Sequence, residues 1–398
     1  MKPIYIAAYH QSKFGKLLGL TVPEILRKAA EETCASVKAE PSAVDVATVG
    51  AVCNLTRSEQ GLPSGLLSMT PGLAAKPIES VENACATGGQ AILAVAQKLM
   101  LGDGDVGLAV GFEKMRDAEG KMDGKLIGKV LGYYSHPDER PGKTFVFPHL
   151  FAEVMKAYMD EWGVPEEDLT AIAVAEYENA RQNPYAQMQK NEVTLETAMK
   201  IEGINRYVVE GLPLKTYDAS QISDGYAGMV LATEEGLARL GVAKADCVRL
   251  AGWGQATDPL KKEGRDVLRP KAALAAMGAA YRRAGLAPTD VNVAEVHDCF
   301  SVMGAIGAGA IGKAEFGKGA RYWRDGKARV DGECGINTSG GLIAKGHPIG
   351  ATGIAMVGWC AWQLLGKVPK ALQVPNARAA ATFNIGGPVC ATVATVLT

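Results

Sequence analysis

Hydrophobic and polar positions along the chain predict helices and buried strands in alternation. Apolar residues recur at helical spacing in residues 22–38 and again in residues 270–285, and both segments are rich in alanine. Short apolar runs at Val106–Val110 and Ala379–Phe383 favour strands. Alternating helices and short apolar strands are typical of α/β layers with buried sheets.

This pattern occurs twice, at an offset of 247 residues. Pro41–Val49 aligns with Pro288–Val296, and each segment reads as a turn and a strand after a helix. A second pair, Ala84–Gly89 and Gly346–Gly353, opens two further helices. We therefore predict an α/β fold built from two duplicated halves.

One segment, residues 113–216, differs from both halves because it carries more charge, several aromatics and prolines, and little strand signal. Phe151–Trp162 within it has the spacing of an amphipathic helix. The segment is either an inserted lid or a pair of ordinary packing helices. We predict four segments: the first half in residues 1–112 and 217–265, the insertion in 113–216, and the second half in 266–398.

Composition excludes several classes of function. The 398 residues carry a formal net charge of −1 and are 47% hydrophobic, which favours a globular fold and disfavours nucleic acid as a partner. No apolar run reaches the roughly 18 residues of a membrane span, so no membrane partner is expected. The eight cysteines include no CxxC pair, and we expect reduced thiols in the cytoplasm. We predict no metal site, and His10, His136 and His149 lack metal-ligand spacing.

Cys85 is the first candidate for chemistry. It precedes a long helical run, and a helix N-terminus offers free N–H groups and a dipole that lower a thiol pKa. Gly88 and Gly89 allow another chain or a substrate to approach closely. The alternative is a buried cysteine at a tight corner.

The further candidates lie after strands or in glycine-rich loops. His347 lies in such a loop, which could aim its imidazole at a thiol as a base. His297, Asp298 and Cys299 follow the repeated strand, and alternation would put His297 and Cys299 on one face and Asp298 on the other. Gly386 follows another apolar strand and could offer its N–H to an oxyanion. Taken singly, each also fits a loop or turn with no chemistry.

Two glycine-rich segments are not phosphate loops. Gly102–Gly107 has dinucleotide-motif spacing, but it follows a helix and precedes a strand, the reverse of what pyrophosphate binding needs. Gly304–Gly312 lacks the Gly-Lys-Ser/Thr ending of a P-loop.

The candidates together resemble the active-site blocks of the thiolase superfamily, in the order Asn83–Gly89, His297–Phe300, Gly346–Gly353 and Asn384–Gly387. Val110–Met115 and Ser220–Gly225 also resemble segments of that family. The resemblance covers essentially the whole chain. It implies duplicated α/β halves packed as α-β-α-β-α layers, with an inserted loop domain.

The resemblance implies a role for each candidate. Cys85 would carry the acyl group as a thioester, and His347 would help to deprotonate it and line an oxyanion site. His297 would complete that site, and Cys299 would be the acid and base at the substrate carbon. The N–H groups of Cys85 and Gly386 would stabilise the tetrahedral oxyanion.

One departure from the pattern of many thiolases indicates a subgroup of the family. Many thiolases have Asn-Glu-Ala-Phe where this chain has His297–Phe300, and they carry a second catalytic cysteine where this chain has Asn384. A second thiol at Cys299 resembles the sterol-carrier-protein-type and archaeal thiolases. Cys390 does not match the missing cysteine.

The implied activity is that of an acyltransferase that cleaves a 3-ketoacyl-CoA or forms it by Claisen condensation. CoA would be a substrate, with no permanently bound cofactor. The alternatives are a ketoacyl-synthase-like condensing enzyme or C–C lyase, which Cys299 disfavours, and a non-catalytic acyl-CoA-binding scaffold, which the complete residue set disfavours. The resemblance also implies a homodimer or tetramer and, in some members, a small zinc-ribbon/OB-fold partner.

The acyl group is not fixed by these motifs, and lipid or aromatic acid metabolism would both fit. Specificity is expected in residues 113–216 and near Phe300–Gly312. Six side chains could line a pocket for a bulky acyl chain or form the core of the insertion: Phe145, Phe147, His149, Phe151, Met155 and Tyr158.

Overall fold

The computed structural model describes residues 2–398. Strands in this range are β1 (Tyr5–Gln11), β2 (Val46–Gly50), β3 (Ile78–Val81), β4 (Val106–Glu113), β5 (Gly225–Ala232), β6 (Val248–Thr257), β7 (Val293–Val296), β8 (Gly335–Ile336), β9 (Ala380–Gly386) and β10 (Ala391–Leu397). The α-helices are α1 (Val22–Ala35), α2 (Asn54–Arg57), α3 (Pro63–Leu67), α4 (Thr87–Leu101), α5 (Gly124–Gly132), α6 (Val146–Trp162), α7 (Glu166–Gln182), α8 (Leu195–Met199), α9 (Glu234–Leu240), α10 (Lys271–Ala284), α11 (Ser301–Ala310), α12 (Gly319–Arg324), α13 (Gly341–Lys345) and α14 (Ile349–Leu364).

The strand order confirms the predicted duplication. The sheet runs β3-β2-β4-β5-β1-β6-β10-β9-β7-β8, so the two halves have the same internal order, read from opposite edges. A short antiparallel pairing of β1 with β6 joins the two halves, with Tyr5 opposite Arg249 and Ile6 opposite Val248. β6 takes the place in the second half that β1 has in the first. The second half therefore begins at β6, although the sequence analysis assigned residues 217–265 to the first half.

The helices form three layers around the two halves, as expected for α-β-α-β-α packing. In β4, Leu108 and Val110 pack with α1, whereas Ala109 between them faces the opposite cluster, which contains α4 and α14. In the second half, α10 packs on β6 and β10, and α14 lies on the other face.

The central helix α14 is buried along almost its whole length, which explains why its sequence is apolar on every side. Even so, within residues 2–398 no helix is both long and apolar enough to cross a membrane.

The two central helices touch through glycine. A Cβ on Gly88 would lie 2.6 Å from the backbone nitrogen of Gly353, closer than any side chain allows. Glycine is therefore needed here for α4 and α14 to approach at their N-terminal ends. This contact brings together the segments that carry Cys85 and His347.

The insertion between β4 and β5 contains helices α5 to α8. The predicted helix Phe151–Trp162 is present as α6, which begins five residues earlier, at Val146. Helices α6 and α7 pack on α11 and α12 of the second half, while residues of α5 and α6 also line a cavity. The helices of the insertion thus pack as ordinary helices and also form part of the cavity wall, while the lid stays a prediction.

Candidate active site

Cys85 lies in a tight turn between β3 and α4, two residues before the first residue of that helix. The Thr87 hydroxyl holds the turn, because its oxygen accepts from the Asn83 N–H at 2.8 Å and donates to the Ala84 carbonyl at 2.6 Å. Ala84 has a φ of 47°, a left-handed conformation uncommon outside glycine. The predicted position at a helix N-terminus is confirmed.

The expected lowering of the thiol pKa is wrong. Burial raises the pKa of Cys85 to about 12, and the nearby Glu113 and Glu82 carboxyl groups add to the increase. A hydrogen bond from the Gly387 backbone acts in the opposite direction and is outweighed. The thiol lies against an apolar cluster, and loss of hydration there is the largest cause of the increase. At neutral pH the resting group is a thiol.

His347 is held by hydrogen bonds on both its backbone and its ring. Its N–H donates to Ser223 Oγ at 2.9 Å, and its Nδ1 lies 2.7 Å from Thr352 Oγ1. Because the Thr352 hydroxyl donates its proton to the Pro348 carbonyl, Oγ1 must accept from Nδ1–H. Nε2 is therefore left with a lone pair. Burial, with Lys345 nearby, lowers the pKa of His347 to about 3, so the ring is neutral.

His297 has the opposite arrangement. It follows β7, its N–H donates to the Phe383 carbonyl at 2.9 Å, and its Nδ1 lies 3.0 Å from Asn384 Nδ2, an amide donor. Nδ1 therefore accepts and Nε2 carries the proton. Burial, helped by His347, keeps the pKa of His297 well below its ordinary value. Nε2 is buried, and no residue within 2–398 is its hydrogen-bond partner.

The alternation predicted after the repeated strand is confirmed. His297 and Cys299 line one cavity, and Asp298 points away from it. The Asp298 carboxylate accepts from the backbone N–H groups of Leu342 at 2.8 Å and Ile343 at 3.0 Å, in the first turn of α13. Asp298 thus ties the strand end to the loop that leads to His347. Burial raises the pKa of the Cys299 thiol well above its ordinary value.

Cys85, His297 and His347 converge on one point. One ligand atom from each, a sulfur and two ring nitrogens, lies within 4.8 Å of the others. By distance alone, this group could hold a soft divalent cation such as Zn²⁺. It could equally perform thiol chemistry, with one imidazole as base and the other as hydrogen-bond donor. The proton on His297 Nε2 favours thiol chemistry, because a metal needs a lone pair from each nitrogen.

Gly386 lies beside this cluster and is not among the residues that line the cavity. A Cβ on Gly386 would be 2.3 Å from the Asn83 carbonyl oxygen, so glycine is required for close packing against the Cys85 turn. Gly387, with a φ of 63°, lines the cavity instead and is the residue whose backbone bonds to the thiol. The oxyanion role of Gly386 stays a prediction.

The cluster opens into an apolar cavity of about 220 Å³. The insertion contributes much of its wall: Gly124, Ile127, Gly128, Leu131, Tyr134, Phe145, Val146, Phe147, Pro148 and Phe151. Three of the six candidate pocket residues are in this list. Met155 and Tyr158 are buried in the core, and His149 pairs with Glu153 at 3.2 Å.

Sequence reasoning missed Glu113, the last residue of β4. Its buried carboxyl accepts from the N–H groups of Val52 at 2.5 Å and Cys53 at 3.1 Å. Burial raises the pKa of Glu113 to about 7, near the pH at which most enzymes work. The available signal was its place in Val110–Met115, one of the segments that resemble the family.

Known proteins resemble this chain along its whole length. The family "Thiolase, N-terminal domain" matches residues 4–235, and "Thiolase C-terminal domain-like" matches residues 254–398. Acetyl-CoA acetyltransferase of Methanothermobacter thermautotrophicus is 33% identical over 387 residues, which are 97% of each chain. Sterol carrier protein 2 of Bos taurus is 30% identical and covers 96% of this chain and 70% of its own. The solved Ltp2-ChsH2(DUF35) aldolase has a TM-score of 0.80 at 21% identity, covering 99% of this chain and 97% of its own.

The chain belongs to the thiolase family. Within that family it is an acyltransferase.

Proposed function

We propose that this thiolase cleaves or forms a 3-ketoacyl-CoA through an acyl thioester on Cys85, with Cys299 as the acid and base. The observation that carries the proposal is the pair of imidazoles beside Cys85: Nε2 of His347 is unprotonated and Nε2 of His297 is protonated. Acyl transfer to a thiol needs a proton acceptor and an oxygen-binding donor at the same place.

In the first step His347 Nε2 takes the proton of the Cys85 thiol as sulfur attacks the 3-keto carbon. The resting thiol and the neutral imidazole both have pKa values that oppose a preformed ion pair, so proton transfer accompanies the attack. The tetrahedral oxyanion would take backbone N–H groups of the Cys85 and Gly386–Gly387 turns as donors.

In the second step the bond between the 2- and 3-carbons breaks. The acyl group stays on Cys85 and the electron pair passes to the departing acetyl-CoA as its enolate. His297 Nε2–H holds the enolate oxygen, and Cys299 gives its proton to the carbon. Cys299 suits this role because its thiol is buried beside His297 in the same cavity.

In the third step the thiol of a second CoA attacks the acyl group on Cys85. Cys299, now a thiolate, takes that proton, and Cys85 leaves as a thiol after recovering a proton from His347. Atoms balance as 3-ketoacyl-CoA plus CoA giving acetyl-CoA and a shortened acyl-CoA. CoA is a substrate in this scheme, and none of its steps needs a resident cofactor or metal.

We propose an acyl group larger than acetyl as the substrate of the cleavage direction. An apolar cavity of about 150 Å³ is enough for benzene, and the cavity of about 220 Å³ beside Cys85 is lined by Phe145, Phe147, Phe151 and Phe300. Such a wall suits a branched or aromatic chain and offers little to a charged one.

We also propose a homodimer or tetramer. β3 is an outermost strand of the sheet, paired on one side with β2, and Leu62 and Met69 nearby are exposed. A second copy of the chain would cover this edge. A zinc-ribbon/OB-fold partner and a cytoplasmic location also stay proposals; the DUF35 component of the aldolase complex is consistent with such a partner.

The experiment is product analysis by mass spectrometry, with purified protein, CoA and a panel of short, branched, long and aromatic 3-ketoacyl-CoAs. A shortened acyl-CoA supports the proposal. Acylation of Cys85 without C–C cleavage would instead favour a condensing enzyme or a missing partner. If Cys85 is never acylated, the proposal is wrong and a scaffold is favoured.

A further inference from the structure

Asn384 occupies the position where many thiolases carry their second catalytic cysteine, and the proposed reaction gives it no chemical step. Its side chain lies at the centre of the site and contacts three of its parts. Nδ2 is 3.0 Å from the Cys85 carbonyl and 3.0 Å from His297 Nδ1, and Oδ1 accepts from the Gly89 N–H at 3.3 Å.

The orientation of this amide is fixed by two backbone groups. The Cys85 carbonyl can only accept, so it requires the NH₂ end of Asn384. The Gly89 N–H can only donate, so it requires the carbonyl end. If the amide flipped, its oxygen would face the Cys85 carbonyl and its NH₂ group would face the Gly89 N–H. Each buried polar group left without a hydrogen bond costs about 1–3 kcal/mol of stability.

Since the NH₂ end also faces His297, Nδ1 of that ring has to accept and Nε2 has to carry the proton. We infer that Asn384 is a positioning residue that locks His297 in the Nε2–H form and thereby keeps the Cys85–His297–His347 cluster free of metal. The inference rests on the proposed function for the use made of that proton, which holds the carbonyl oxygen of the thioester.

The same three donor atoms would otherwise suit a metal ion. A sulfur and two imidazole nitrogens within 4.8 Å of one another are an open zinc-type set. Metal-bound histidines usually donate their other N–H to a carboxylate or carbonyl oxygen. His347 donates its Nδ1–H in a similar way, to the Thr352 hydroxyl. At His297 the amide donor of Asn384 faces Nδ1, so that nitrogen cannot donate.

The test exchanges the donor for an acceptor of the same shape. In Asn384→Asp, a carboxylate oxygen would accept from His297 Nδ1–H and leave Nε2 with a lone pair. Gly89 keeps its acceptor, whereas the Cys85 carbonyl loses its donor. We expect the rate of thiolysis to fall by about 10–100-fold. We also expect the variant to bind Co²⁺, used as a spectroscopic probe, with a thiolate-to-metal absorption band that the wild-type protein lacks. The double variant Asn384→Asp/Cys85→Ala is the matched control and should lose that band.

A measurement on the wild-type protein makes the inference independent of whether the variant folds. With ¹⁵N-labelled histidine, the five histidines give few signals, and a His297→Gln variant assigns the one of interest. We expect His297 protonated on Nε2 and His347 on Nδ1. Protonation of His297 on Nδ1, or equal Co²⁺ binding by wild type and Asn384→Asp, overturns the inference. Neither readout uses an acyl-CoA, so failure here is distinct from failure of the proposed reaction.

Discussion

His297 and His347 meet edge to face with ring centroids 5.1 Å apart, and they carry their protons on opposite nitrogens. Two neutral rings therefore present one acceptor and one donor to the same small space beside Cys85. The difference arises from the neighbours, a threonine hydroxyl for one ring and an asparagine amide for the other. A single site can thus both take a proton from a thiol and hold a carbonyl oxygen.

The first prediction concerns the hydroxyl that orients His347. Thr352→Val removes the acceptor of Nδ1–H while keeping the shape of the side chain. We expect kcat for thiolysis to fall by about 10–100-fold with little change in KM, because substrate contacts are retained. Steady-state kinetics with a 3-ketoacyl-CoA measures both.

Thr33→Val is the matched control for that variant. Thr33 is also buried in a helix, and its hydroxyl also donates to a carbonyl four residues earlier, that of Ala29. Equal loss of activity in the two variants would mean that a general loss of stability, and not the orientation of His347, is being measured.

The second prediction separates the two thiols. Cys85→Ala should abolish acyl transfer and thiolysis together, because no acyl thioester can form. Cys299→Ala should still be acylated on Cys85 by a simple acyl-CoA, while C–C cleavage falls by about 10²–10⁴-fold through loss of the acid. Intact-protein mass spectrometry follows acylation, and equal loss of both steps would contradict the division of roles.

The third prediction follows from the pKa of Glu113, which burial raises to about 7. Below pH 7 the carboxyl is mostly neutral, and above it the negative charge opposes formation of the Cys85 thiolate. Glu113→Gln should therefore speed alkylation of Cys85 by iodoacetamide several-fold at pH 8 and change it little at pH 6. Peptide mapping distinguishes Cys85 from Cys247, the other partly exposed thiol. A rate ratio that does not vary with pH would remove Glu113 from this role.

The fourth prediction concerns the size of the acyl group. Gly124 lines the cavity, and a Cβ there would meet no atom within 4 Å. Gly124→Leu should narrow the cavity and lower kcat/KM for branched or aromatic 3-ketoacyl-CoAs by about tenfold or more, with a smaller effect on acetoacetyl-CoA. Gly124→Ala is the control of intermediate size. A uniform decrease across all substrates would place the acyl chain elsewhere.

The fifth prediction tests the contact between the central helices. Gly88→Ala places a methyl group 2.6 Å from Gly353 N, so the helices must separate. We expect a loss of about 1–3 kcal/mol in the free energy of unfolding, seen as a lower urea midpoint. Gly124→Ala, in open space, should leave the midpoint nearly unchanged. An unchanged midpoint in Gly88→Ala would show that the helices can shift at no cost.

Most of the fold could be predicted from the sequence. Hydrophobic periodicity indicates which residues of a helix or strand are buried, and the internal repeat indicates two similar halves. β6 was assigned to the wrong half because its partners, β1 and β10, lie at opposite ends of the chain. The side-chain directions after the repeated strand also followed from local geometry. Which face of a strand is buried is a local property, but which half a strand joins is not.

The electrostatics of the site could not be read in the same way. Proximity to a helix N-terminus suggested a low pKa for Cys85, but the desolvation and the Glu113 carboxyl that reverse it come from residues brought near by folding. The protonated nitrogens of His297 and His347 likewise depend on Asn384 and Thr352, and no spacing rule connects His297 with a residue 87 positions away.

The duplication has a consequence for how the site could arise. Cys85 lies two residues before α4 and His347 two residues before α14, which are equivalent helices of the two halves. Two identical chains related by an exact twofold axis must carry the same residue at both places, two thiols or two imidazoles. A nucleophile that faces its own base from the equivalent position therefore requires two halves of different sequence, and the duplicated chain provides them.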